Sequence, residues 1–213
     1  MYSYQFPTGY YGFAQDLNQS LNEFLFDPVL PIYTVDKAER YPNNKILDLD
    51  LFGLKRRLEN ENNYIDDHFS EIYLNELFGE MKITCYVFKA KVGKNDVKQT
   101  KENIRRQFFK NNMTVMLSIN GQAHGHYTSE FITRTLKFNL LKDYLLIHVE
   151  CTKIKYELRK ELFMASRDRF RQGDELNELR EYLGKHLRKN HFDETNEKRK
   201  DSIGLESEVR RSY

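Results

Sequence analysis

Two short stretches hold residues whose types and spacing suit chemistry, and the first contains a pair of imidazoles. In Asn120-Gly121-Gln122-Ala123-His124-Gly125-His126 the two histidines stand two residues apart. In an extended strand both rings would point to one face and would suit a metal ion. However, Asn-Gly is a strong turn signal, and no third ligand stands at a characteristic distance. We therefore favour a structural turn without a metal, formed by Asn120, Gly121, Gln122, His124 and Gly125.

The second stretch is rich in arginine. Ser166-Arg167-Asp168-Arg169-Phe170-Arg171 presents three guanidinium groups in one short loop. Arginine forms paired hydrogen bonds with phosphate oxygens, so the loop is a candidate phosphate contact. The alternative is ion pairing with Asp168, Asp174 and Glu175, which are close in sequence. Both interpretations stay open.

A third, longer segment is basic. Residues 89–110 contain eight lysines and arginines against only Asp96 and Glu102. Within this segment, Gln99-Thr100-Lys101 is predicted to lie in a loop, from which Lys101 would suit the γ-phosphate of a nucleotide. The segment is also a candidate nucleic-acid surface, and a solvated loop and helix face is the alternative. The nucleic-acid candidates are Lys98, Arg105, Arg106, Lys110 and Arg171.

Strands and a short helix are predicted to position these stretches. Alternating apolar residues predict strands at 81–88, 113–119 and 145–151. In the last of them, His148 and Glu150 are predicted on the face opposite Cys151. A helical pattern at 128–140 separates the second and third strands, and this order predicts a crossover that sets the two strands parallel. The predicted fold class is therefore α+β, with a mixed sheet, a crossover helix and peripheral helices.

Three regions are predicted along the chain. Residues 1–69 comprise an N-terminal helix, at 13–25, and an extended segment packed on the main domain. Residues 70–189 form the main α+β domain, whose last helix begins at Gly173-Asp174. Residues 190–213 carry crowded charges of both signs and are predicted to be a flexible tail.

Composition excludes some classes of protein. The net charge of +2 gives no whole-chain argument for nucleic-acid binding. Cys85 and Cys151 lie in apolar runs and are predicted to be buried thiols, not a disulfide or metal pair. No apolar run approaches the roughly 18–20 residues of a membrane span, and the N-terminus has no signal-peptide pattern. We expect a cytoplasmic protein that does not bind membranes.

The two chemistry-bearing stretches also carry a family resemblance. Ile-Asn-Gly-Gln-x-His-Gly, from Ile119, and Glu-Leu-Phe-Met-x-Ser-Arg-Asp-Arg, from Glu161, occur in one chain. Together they resemble the C-terminal half of uncharacterised bacterial ATP-binding proteins that are often associated with mobile or defence loci. Those proteins belong to the GHKL ATPases, the relatives of gyrase, histidine kinases and MutL. The resemblance covers roughly residues 70–188 and implies a transducer domain, with a fold like the second domain of ribosomal protein S-five.

The resemblance implies roles for individual residues. In MutL-type and MORC-type members, a loop after the second strand carries a basic residue that reaches the ATP γ-phosphate. That role is implied here for Arg167 or Arg169, with Lys101 as the alternative from the other loop. The ATP site itself needs a catalytic glutamate and asparagine on one helix and an Asp-x-Gly-x-Gly segment, which this sequence lacks.

We therefore expect a non-catalytic transducer that is not an enzyme on its own and binds no cofactor alone. ATP and Mg would be bound only with an ATPase domain, in cis or in trans, and the coupled partner would be DNA or a protein. Three other functions remain as alternatives. They are a stand-alone nucleic-acid-binding module using residues 89–110, a protein-interaction domain, and a metal-dependent hydrolase built on His124, His126 and Glu150. A homodimer is also left open.

Overall fold

The computed structural model describes residues 25–30, 32–36, 47–51, 53–60, 63–108, 113–164, 170–188 and 192. The strands are β1 (Ile32–Asp36), β2 (Leu47–Leu51), β3 (Ile65–Asn75), β4 (Gly79–Phe88), β5 (Met113–Ile119), β6 (Gln122–Thr128) and β7 (Leu145–Ile154). The helices are α1 (Gly53–Asn60), α2 (Val97–Phe108), α3 (Tyr156–Leu162) and α4 (Asp174–Arg188), with a π-helical turn at Phe131–Thr135 and a 3-10 turn at Asn139–Leu141. The predicted α+β class with a mixed sheet is confirmed.

Strand β7 lies at the centre of a five-stranded sheet, whose order is β3-β4-β7-β5-β6. It pairs antiparallel with β4 and parallel with β5, where Val115 lies opposite Ile147. The predicted parallel pair is thus confirmed. Strands β1 and β2 form a separate antiparallel pair.

The connection from β5 to β7 differs from the predicted turn and single helix. Asn120 and Gly121 have φ angles of 51° and 75°, which suit the two-residue hairpin turn that twisted strands favour. The chain therefore returns at once as β6, and Gln122, His124 and Gly125 lie in that strand and not in the turn.

The helices before β5 and β7 also differ from prediction. The helix predicted at 128–140 is reduced to a π-helical and a 3-10 turn, because Lys137 has a left-handed φ of 66° between them. Helix α2 is longer than the helix predicted at 103–109. Its first turn is capped by Asp96, whose carboxylate accepts a hydrogen bond of 2.7 Å from the Gln99 backbone N–H.

Both faces of the five-stranded sheet are packed. The first face carries alternate β7 residues that α3 and α4 cover, and the second carries the intervening residues that α1 and α2 cover in part. Each buried leucine or phenylalanine contributes about 1.5–3 kcal/mol. On the first face, β7 contributes Leu145, Ile147, Val149 and Cys151, and the helices contribute Leu158, Leu162, Leu179, Leu183 and Leu187. On the second face lie Tyr86, Phe88, Met116 and Leu146, covered by Leu54, Leu58, Ile104 and Phe108.

Some predictions fall outside the part of the chain that the structure describes. They include most of the predicted helix at 13–25, the tail at 190–213 except Phe192, Lys110, and residues 165–169 with Arg167 and Arg169. Phe192 is buried in the first-face core. Among the described helices, none is long and apolar enough to cross a membrane.

Candidate functional site

The tip of the β5–β6 hairpin is held by backbone contacts on two sides. The Gly121 carbonyl oxygen accepts hydrogen bonds from the Phe26 and Asp27 N–H groups, at 2.8 and 3.1 Å. The Asn120 N–H donates to Thr152 Oγ1 at 2.9 Å. A Cβ at Gly121 would stand 1.9 Å from the Asp27 carbonyl oxygen, so this position requires glycine for space as well as for φ. The tip is therefore fixed between residues 25–30 and β7.

A β-bulge in β6 separates the two imidazoles. Leu117 lies opposite Gly125 and Ser118 opposite Ala123, which leaves His124 as the extra residue. Its ring packs edge-on against Phe163 of the first-face core, at 5.7 Å between centroids. His126 lies opposite Met116, whose side chain belongs to the second-face core.

The two rings therefore point to opposite faces, and the strand geometry that would let them share a metal is not formed. In the described segments, no group of three or more histidine, cysteine or acidic side chains is arranged to hold a metal ion. Cys85 and Cys151 are buried, as predicted, and burial raises the pKa of both thiols, that of Cys151 to about 12. They are thus poor nucleophiles.

The arginine-rich stretch is anchored beside β6. Phe163 and Phe170 form an antiparallel β-bridge, which brings the residues on either side of 164–169 together. The Arg171 N–H donates to the Leu162 carbonyl at 2.9 Å and strengthens this contact. The Phe170 ring fills the space above Gly125, where a Cβ would stand only 2.4 Å from Cε1. The two stretches singled out in the sequence therefore meet through Gly125, His124, Phe163 and Phe170.

Lys101 lies elsewhere. It belongs to α2, on the second face, and its Nζ is 2.5 Å from Asp143 Oδ2. Arg105 approaches the other oxygen of the same carboxylate at 3.5 Å. Phe163 and Phe170 pack with the first-face core. The structure therefore does not bring Lys101 together with the anchored ends of the arginine loop.

The nucleic-acid candidates are also divided. Lys98 and Arg105 are exposed on α2, whereas Arg171 is exposed beyond the β-bridge on the other side of the sheet. The backbone of Arg106 lies in α2, but its side chain is outside the described part, as is all of Lys110. Since Asp143 is shared by Lys101 and Arg105, part of the positive charge of α2 is neutralised within the domain.

Sequence reasoning missed a cavity of about 330 Å³ on the second face, beside the hairpin tip. Strand residues form its floor, and residues 25–30 with α1 form its wall. Its lining consists of Phe26, Asp27, Val29, Lys55, Lys82, Thr84, Ser118, Asn120, Gly121, His148, Glu150 and Thr152. The sequence carried one signal for this cavity. In three strands, the residues on the second face are polar near the cavity but apolar at the other end of that face.

A buried hydroxyl–imidazole pair lies at the centre of the cavity floor. Ser118 Oγ is 2.7 Å from His148 Nε2, and the imidazole stacks on Phe26 with ring centroids 3.4 Å apart. Burial, together with the smaller effect of the ammonium groups of Lys55 and Lys82, lowers the pKa of His148 to about 3. His148 is therefore a neutral hydrogen-bonding group at physiological pH.

Comparison with known proteins found no matching family model, curated protein or solved structure for this chain.

Proposed function

We propose that this chain is a non-catalytic transducer-like domain of the GHKL type, which couples nucleotide state in an ATPase domain to a DNA or protein partner. One observation carries the proposal. The two stretches on which the resemblance rests are distant in sequence but in contact in the fold, through His124 and Phe163. The pairing of β5 and β7 in one sheet also supports it, because the resemblance implies an apolar strand that ends in Asn-Gly and a second strand that follows after a helix.

The anchored loop suits the coupling role. Its ends are joined by the Phe163–Phe170 bridge, and Phe170 packs on Gly125 of β6. Arg167 and Arg169 lie between these two fixed ends in sequence. In our proposal their guanidinium groups contact the γ-phosphate held by the ATPase domain, since arginine binds phosphate oxygens in pairs. In this proposal, phosphate contact moves the loop, and the movement is passed to the hairpin tip, which is bonded to residues 25–30.

The test is a nucleotide-binding titration with a non-hydrolysable ATP analogue and Mg, on this chain alone and with an ATPase domain encoded beside or ahead of it. We expect binding that depends on the ATPase domain and is tightened by this chain. Arg167→Ala and Arg169→Ala should each weaken that binding by about tenfold, or 1.4 kcal/mol. Arg134→Ala is the matched control, because Arg134 is an exposed arginine paired only to exposed Glu130 among the contacts described.

Lys101→Ala separates the two candidate contacts. Because Lys101 is held by Asp143 on the other face, the proposal expects this change to leave nucleotide affinity within about twofold. Loss of affinity in Lys101→Ala but not in the arginine variants would overturn the assignment to the loop. Nucleotide affinity that does not change when this chain is added would overturn the transducer role itself.

The same series includes a DNA duplex, which tests the stand-alone nucleic-acid alternative. Binding by this chain alone that weakens steeply with salt, with a slope reduced by Arg105→Ala, would favour that alternative over ours. The ion pairs of Lys101 and Arg105 with Asp143 are the structural reason for ranking it second.

A further inference from the structure

The cavity beside the hairpin tip is a formed polar site that the coupling role does not use. Its strand residues lie on the second face, whereas Phe163 and Phe170, at the two ends of the arginine-rich stretch, pack with the first-face core. Its volume of about 330 Å³ is at the lower end of the roughly 300–1,000 Å³ typical of small-molecule sites. A ligand of the size of an amino acid fits this space.

The floor of the cavity offers hydrogen-bonding groups that are already oriented. Ser118 is 0% exposed and His148 6% exposed, and each satisfies the other across 2.7 Å. Thr152 accepts a hydrogen bond from the Asn120 N–H and keeps its own hydroxyl proton to donate. The hydroxyl proton of Thr152 suits a ligand that brings a hydrogen-bond acceptor to the floor, because buried polar groups are costly unless bonded.

The charges that face the cavity are balanced but only partly paired. On one wall Lys55 and Asp27 form an ion pair at 2.7 Å. Lys82 of β4 and Glu150 of β7 are register partners, so their side chains lie side by side on the second face. No ion pair joins these two in the part of the chain described, although the nearby pair on the same strands, Glu80 and Lys153, closes at 2.5 Å.

Among its described lining residues, the cavity therefore presents one ammonium and one carboxylate to a ligand, and the four ionised side chains carry no net charge. A simple anion would be attracted by Lys82 but repelled by Glu150. A simple cation would be attracted by Glu150 but repelled by Lys82. A molecule with both charges close together would satisfy both groups. The Phe26 ring and Val29, which is 84% exposed, would contact its apolar part.

We propose that this cavity binds a small zwitterion of the amino-acid class, with its carboxylate on Lys82 and its ammonium on Glu150. Thr152 bonds its polar atoms from the floor, beside the Ser118–His148 pair. The site is separate from the coupling role, since Lys82, Glu150 and Thr152 belong to β4 and β7. Its occupancy would be sensed by residues 25–30, which are bonded to Gly121.

The experiment is a calorimetric titration of the full chain with each of the twenty standard L-amino acids, and with acetate and methylamine as single-charge probes. We expect at least one amino acid to bind with a Kd of about 1 mM or tighter, and acetate and methylamine to bind at least about tenfold more weakly. Lys82→Met and Glu150→Gln should each weaken the amino acid by about tenfold. Lys153→Met and Glu80→Gln, on the same strands outside the cavity, are the matched controls and should change the Kd by less than about twofold.

Three outcomes would overturn the proposal. The first is that no amino acid gives binding heat at about 10 mM, well above the expected Kd. The second is that acetate binds as tightly as the best amino acid. The third is that the cavity variants and their controls weaken binding equally. Circular dichroism of each variant shows whether it is folded, and a variant that does not fold is replaced by Thr152→Val, which removes one donor at the floor. Arg167 and Arg169 are unchanged in all of these variants, so a negative result for amino-acid binding does not affect the coupling test. A negative coupling test likewise does not affect the amino-acid proposal.

Discussion

Gly125 and the ring of Phe170 are in direct contact, and a methyl group at Gly125 would stand 2.4 Å from Cε1 of that ring. This contact joins β6 to the segment that follows the arginine-rich loop. The ring of Phe170 is partly buried and also packs against Tyr127 and Phe163, which limits its movement away from an added atom. The junction is therefore open to a direct test by small changes in volume.

Gly125→Ala should lower the free energy of unfolding by about 1–3 kcal/mol, because the added methyl overlaps the Phe170 ring. Urea unfolding measures the change. Combining it with Phe170→Leu, a smaller side chain, should give a double variant less destabilised than the sum of the two single changes. The control is Gly173→Ala, whose nearest neighbour is the flexible end of Glu175 and whose effect should stay within about 0.5 kcal/mol. Equal effects of Gly125→Ala and Gly173→Ala would contradict the contact.

Gly121→Ala should be more damaging, with a loss of at least about 2 kcal/mol. Two causes act together, since φ is +75° and the new Cβ would lie 1.9 Å from the Asp27 carbonyl oxygen. Asn120→Gly is the paired control, because φ is 51° there and glycine adopts that angle without strain. Both variants are measured by urea unfolding. A mild Gly121→Ala, no worse than Asn120→Gly, would show that residues 25–30 are not docked on the tip.

His148 should make stability depend on pH. Burial lowers its pKa in the folded chain to about 3, against 6.5 for a free side chain. Below pH 6.5 the unfolded chain therefore binds a proton that the folded chain does not bind until about pH 3. The free energy of unfolding should fall as pH decreases across this window, by up to about 1.4 kcal/mol per pH unit from this group alone. Above pH 6.5 its contribution should be constant.

His148→Gln keeps a hydrogen-bonding partner for Ser118 but removes the titration. Its unfolding free energy, measured in urea from pH 7.5 to 4, should therefore depend less steeply on pH than that of the unaltered protein. The test does not depend on how much the substitution lowers the unfolding free energy at pH 7, because only the slope of unfolding free energy against pH is compared. Parallel curves for the two proteins would mean that His148 titrates alike in the folded and unfolded chains.

Asp143→Asn should cost about 1 kcal/mol, since a carboxylate only 15% exposed holds both Lys101 and Arg105. Glu130→Gln is the comparison, because its pair with Arg134 is exposed on both sides, at 59% and 73%, and should contribute less than about 0.5 kcal/mol. Thermal unfolding at low and high salt distinguishes the two sites. Indistinguishable losses would show that the Asp143 network is no stronger than a surface pair.

The strands that are apolar on alternate positions could be predicted from the sequence, because burial on one face imposes a period of two. Strand β7 is the clearest case, with Cys151 on the first face and His148 on the second. Strand β6 was missed because its bulge at His124 breaks that period, and because its residues are mostly polar. The first turn of α2 was also missed. It begins after Asp96 in a strongly charged segment, where no apolar pattern marks the start of a helix.

The cavity could not be predicted, because it depends on register and on contacts between distant parts of the chain. Lys82 and Glu150 become neighbours only when β4 pairs with β7. Phe26 reaches His148 only through the hydrogen bonds of residues 25–30 to Gly121. A single sequence shows polar residues in strands but does not show which of them face one another.

The central position of β7 has a consequence for synthesis on the ribosome. It is the last strand of the sheet in chain order, yet it lies between the β3–β4 hairpin and the β5–β6 hairpin. Until Leu145 and the residues after it have emerged, β4 and β5 each have an unpaired edge with apolar side chains on both faces. Such edges invite pairing with other chains. The nascent protein is therefore most prone to aggregation just before β7 emerges, and insertion of that one strand closes both edges together.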